Sequence, residues 1–127
     1  MCRAVLPLLL ILACASGSLR ANETQAPAGD ERSPGDMTVE ERAEMMKSTN
    51  DYNNCVYQQA IAKVDAEPDI RRVADDALGA CEPTLEALRG KIRGWKFPDY
   101  FATGFARTVR DRAARNILPE LATRKGN

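Results

Sequence analysis

Two cysteines stand at equal distances from a proline in "CVYQQAIAKVDAEPDIRRVADDALGAC": Pro68 lies 13 residues from Cys55 and 13 from Cys81. If "EPD" is the turn of a helical hairpin, the chain rises and returns at the same rate per residue. Both thiols then sit at one height, roughly 20 Å from the turn. Equal height is what a disulfide needs, because its Cα atoms must approach within about 7 Å. Packed helices normally lie roughly 8–10 Å apart, so small side chains must let these two come closer. Ala62, Ala66, Ala74 and Ala77 are the residues expected to make that room.

The cysteine inventory agrees. The chain has 127 residues, four cysteines and no histidine. Cys2 and Cys14 belong to the opening stretch "MCRAVLPLLLILACASGS", which has one early cation, Arg3, an apolar run and then small residues. This is the layout of an export signal, with an apolar run too short to span a bilayer as a helix. Cys55 and Cys81 are then left as an even pair in an oxidising compartment, and the expected bridge joins them. Without histidine or a C-x-x-C pair, a zinc centre or thioredoxin-like redox site has almost no ligands to draw on. No metal and no cofactor are expected.

The end of the apolar run, "ILAC", resembles the lipobox of bacterial lipoproteins: aliphatic, variable, small, cysteine. Leu12 is larger than the residue usual at its position. The resemblance implies that Cys14 becomes the lipid-modified first residue of the mature chain. Ala15 after it, by the same resemblance, implies the outer membrane, with the protein facing the periplasm. Ordinary cleavage after "ACA" is the competing reading and would give a soluble periplasmic or secreted protein.

Beyond the signal, residues 16–36 include "RANETQAPAGDERSPGD", polar, rich in proline and glycine and without apolar periodicity. Such a segment buries too little surface to offset its chain entropy, and it reads as a flexible tether. One all-α domain is expected over 37–121, a small bundle of a stapled antiparallel hairpin plus a third helix. No alternating strand pattern occurs. The first helix should begin at Thr38, whose spacing to Glu41 is that of a capping box. "STNDYNN" should interrupt it, since its side chains compete for backbone hydrogen bonds. Ile70, Ala74, Ala77, Leu78, Cys81, Leu85, Leu88, Ile92 and Trp95 form one stripe of a second helix, with a kink expected at Pro83. A third helix opens at Pro98, carries Phe101, Phe105, Val109, Ala113 and Ile117, and should close at Pro119. Residues 122–127 are read as a frayed tail.

Charge is balanced overall but not locally. Residues 22–82 hold 14 acids and 6 bases, and residues 83–127 hold 4 acids and 10 bases. Mutual attraction of the halves within the fold is the plainer expectation. Arg107, Arg110 and Arg115 are the candidates for contact with an anionic partner. Export argues against nucleic acid, leaving an acidic envelope protein or an anionic envelope surface. Five of the seven aromatic residues fall in 95–105. Trp95, Phe97, Tyr100 and Phe101 are expected mainly to plug the core, and otherwise to touch a ligand or partner. A serine or cysteine triad in its usual form is excluded by the lack of histidine. The carboxylate pairs Glu40–Glu41 and Asp75–Asp76 point in different directions on a helix. The sequence therefore reads as a non-catalytic interaction or structural module of the cell envelope. A soluble binder of an apolar or amphipathic ligand at the aromatic cluster comes second, and an enzyme using carboxylates brought together from separate helices third.

Overall fold

The computed structural model describes residues 29–126. Over these residues the chain forms a one-turn 3-10 helix and then four α-helices: α1 (Val39–Lys63), α2 (Ile70–Ala80), α3 (Glu82–Gly94) and α4 (Asp99–Gly126). Among the described residues there is no strand. The fold is an all-α bundle.

Helix α1 starts where the capping box places it. Thr38 Oγ1 accepts from the Glu41 N–H, and the Glu41 carboxylate accepts in return from the Thr38 N–H. The helix then runs unbroken through the "STNDYNN" segment, contrary to the expected interruption. The competing side chains are engaged elsewhere. Ser48 Oγ accepts from Lys91 Nζ of α3, Thr49 Oγ1 donates back to the Met45 carbonyl, and Asp51 pairs with Lys47. Tyr52, fully buried, ties the same stretch to the core. Tertiary packing outweighs local propensity here.

The hairpin forms as its spacing predicts. α1 ends in a turn at 64–66, Asp69 caps α2 by accepting from the Arg71 N–H, and Pro68 lies in the connection. Cys55 and Cys81 are bridged, with Cα atoms 5.9 Å apart. The alanines that permit this approach differ in part from those expected. Ala74 and Ala77 are buried, but Ala62 and Ala66 face solvent, and the buried alanine of α1 is Ala60.

Two further boundaries shift, both at prolines. The long second helix is divided into α2 and α3 at Cys81 (φ −95°, ψ 2°), two residues before Pro83, where a kink was expected. Pro83 has no N–H for the Gly79 carbonyl and its ring crowds it, so the ladder stops before it. The Cys81 carbonyl then accepts from both Thr84 and Leu85 to begin α3. The apolar stripe nevertheless stays in phase: Ala74, Ala77, Leu78, Cys81, Leu85, Leu88 and Ile92 are all buried. Conversely, α4 continues through Pro119 instead of closing there, and residues 122–126 are helical although exposed. Leu121, fully buried two residues beyond the proline, and an Arg124–Asp65 ion pair hold the last turns against the bundle.

Replacing both Cys55 and Cys81 with serine removes a covalent loop closed across 26 positions and should cost about 3 kcal/mol of unfolding free energy. Urea titration of the two forms measures it. Pro119→Ala restores a helical N–H and should stabilise the fold by about 1–3 kcal/mol on the same assay.

Candidate functional site

Three surfaces concentrate rings, cations or amides, and each is built on α4 or on the chain that leads into it. The first is the corner between α3 and α4. Helix α3 ends in a Schellman arrangement: the Phe97 N–H donates to the Ile92 carbonyl and the Lys96 N–H to that of Arg93. Lys96 takes the left-handed position (φ 68°) that glycine usually fills. Phe97 is buried and meets Phe101 edge-on at 5.7 Å, and Phe101 meets Phe105 at 6.4 Å. Trp95 and Phe101 are half-buried against the same core, while Tyr100, 73% exposed, points away from it.

Arg32 covers this corner. Its guanidinium lies 4.7 Å from the centre of the Phe97 ring and donates to both carboxylate oxygens of Glu41 and to the carbonyls of Trp95 and Asp36. Its own N–H donates to the Lys96 carbonyl. Arg32 thus packs against the domain, several residues before Met37, where the domain was expected to begin. Of the four aromatic residues singled out as partner contacts, Phe97 has no free surface and only Tyr100 is largely free.

The second surface is a groove of about 400 Å³ between α3 and α4, lined by Glu82, Leu85, Arg89, Arg107, Arg110 and Asp111 among others. Here the structure brings together Arg107 and Arg110, as anticipated, and adds Arg89. The cations are largely answered in place: Arg89 pairs with Glu86 and Arg110 with Glu82. Arg107 makes no ion pair among the described residues. Behind the groove, burial pushes the Tyr52 phenol up, and its hydroxyl has no hydrogen-bond partner. Arg115 lies apart, on the third surface.

That surface is a cavity of about 530 Å³ between α1 and α4, lined by Asn53, Asn54, Val56, Tyr57 from α1 and by Ala113, Arg115, Asn116, Ile117, Pro119, Glu120 from α4. Neither this cavity nor the groove is lined by any of the five rings of 95–105. Sequence reading missed the cavity because both of its walls carry helix-breaking residue types. Asn53 and Asn54 sit in the expected interruption of α1, and Pro119 at the expected end of α4. The one sequence signal was the density of amides, with three asparagines among the lining residues.

Cys14 and the export signal lie outside the described residues, as does the tether before residue 29. Among the described residues, no helix is long and apolar enough to cross a membrane, and no group of three or more His, Cys, Asp or Glu is placed to hold a metal ion. No protein-family model, curated protein or solved structure matches the chain.

The Arg32 contact has a definite pH signature. The hydrogen bond from Arg32, followed by that from the Thr38 backbone, holds the Glu41 carboxyl below its ordinary value. A carboxyl lowered in the folded state stabilises at any pH above its unfolded value, and that contribution is lost as pH falls through the folded value. Glu41→Gln should therefore lower stability at neutral pH and flatten the acid limb of the curve between roughly pH 5 and pH 2. Urea midpoints measured across that range check it.

Proposed function

We propose that this chain is a non-catalytic interaction module of the bacterial cell envelope, exported, closed by its disulfide and held at the membrane through lipid on Cys14. The observation that carries the interaction reading is a line of uncharged residues on the outer side of α1. Val39, Ala43, Met46, Asn50 and Tyr57 recur at helical spacing along roughly 27 Å of helix. All are exposed, with Val39 at 78%, Met46 at 53% and Tyr57 at 43%. Glu40, Lys47 and Asp51 flank the line on one side and Arg42 lies on the other, yet the line itself carries no formal charge.

An uncharged strip of this kind favours a protein partner over an anionic membrane surface, because burying it desolvates no ion. The bridge supports export, since disulfides persist in oxidising compartments. The ion pairs between the halves support the same assignment from the other side. Lys91 pairs with Glu44, Arg110 with Glu82 and Arg124 with Asp65, so much of the basic half is used within the fold.

Two measurements test the proposal. Cys14→Ala should move the protein from the membrane to the soluble fraction; a parent chain already soluble overturns the anchor. A photo-crosslinking residue at Met46 or Tyr57 should yield one discrete adduct in living cells, and the same residue at Arg72 on α2 should yield none. Equal labelling at all three positions, or none at any, overturns the interaction strip.

A further inference from the structure

We propose that the cavity between α1 and α4 binds a neutral saccharide. The proposal rests on the cavity, whose edge residue Tyr57 also ends the uncharged strip on α1, and holds whether or not the chain is lipid-anchored.

The cavity holds acceptors in want of donors. Asn53 Oδ1 is buried and has no hydrogen-bond partner. Pro119 cannot return an N–H to the Arg115 carbonyl, and both residues line the cavity. A buried polar atom left unpaired is costly, and the Asn53 side chain recovers that cost by turning its amide out to a ligand hydroxyl at the cavity wall. The amides of Asn54 and Asn116 each offer donors as well as an acceptor, which matches a ligand whose hydroxyls do both.

Charge and shape narrow the class further. The lining carries one cation, Arg115, and one anion, Glu120, so neither sign of ligand is favoured. The Tyr57 ring, 43% exposed at the edge, gives the C–H face of a sugar ring a surface to stack on. Val56, Ala113 and Ile117 supply an apolar floor. The volume of about 530 Å³ is within the roughly 300–1,000 Å³ usual for small-molecule sites. A peptide is the lesser fit. An extended one needs a free sheet edge and a helical one an apolar groove, whereas these walls are helices with a largely polar lining.

The test is amide NMR of the labelled protein with methyl glucoside, N-acetylglucosamine, its β-1,4-linked disaccharide and maltose. At least one should give saturable shifts confined to residues 53–57 and 113–120 below roughly 20 mM, the range in which a millimolar site fills. Tyr57→Ala and Asn53→Leu should each weaken that binding at least about tenfold, with the thermal midpoint of Tyr57→Ala unchanged. No saturable shift with any of the four sugars overturns the proposal. So do shifts centred elsewhere, or binding indifferent to both substitutions. Glucuronate binding more tightly than methyl glucoside would overturn the neutral assignment, and a capped alanine peptide shifting these amides when the sugars do not would overturn the saccharide.

Discussion

The covalent bridge between α1 and the α2–α3 junction sets the geometry that the other elements must accommodate. Cα atoms 5.9 Å apart, each about 2.3 Å from its helix axis, hold the two arms at an axis separation of at most about 10 Å, that of packed neighbours. The buried residues of the two arms include the small Ala60, Ala74 and Ala77. Because Cys81 is also the residue at which the helical ladder stops, the bridge pins the one place where the second arm of the hairpin could flex. A domain of this size buries a modest fraction of its surface, so a covalent staple supplies a large share of what holds it together.

Electrostatics follow from the same arrangement. The acidic first half and basic second half of the sequence become adjacent surfaces once α3 and α4 pack against α1. The pairs Glu44–Lys91, Glu82–Arg110 and Asp65–Arg124 join them across helices. Exposed pairs of this kind contribute little stability individually. Their greater effect is on specificity, since the pattern of signs matches one packing order of the helices and opposes its alternatives. Arg32 extends the pattern to the incoming chain, covering a ring stack and meeting Glu41 at a helix start.

The hairpin and its bridge were legible because they depend on counting: equal chain lengths about a turn place two atoms at equal heights. The buried stripe through Leu78, Leu85 and Leu88 was legible for a similar reason, since periodicity survives a break in the helix that carries it. What was not legible depends on partners distant in sequence. Ser48 looks like a helix breaker until Lys91, 43 residues away, takes its hydroxyl. Arg32 looks like part of a polar tether until the α3–α4 corner supplies carbonyls and a ring. Ala62 was expected to be buried and Ala60, two residues before it and about half a turn around the helix, is buried instead, because periodicity does not fix the rotation of α1 against α2.

Two of the departures in helix assignment are informative together. Asparagines at 53 and 54 and a proline at 119 each weaken a helix locally, and each is held in one by burial nearby, through Tyr52 and Val56 on α1 and through Ile117 and Leu121 on α4. These locally unfavourable residues face each other across one cavity. A chain selected for stability alone would place alanine or leucine at such positions and close the gap. Asn53, Asn54 and Pro119, gathered on facing walls, mark a place where local stability has been given up, and such places are where sites are expected.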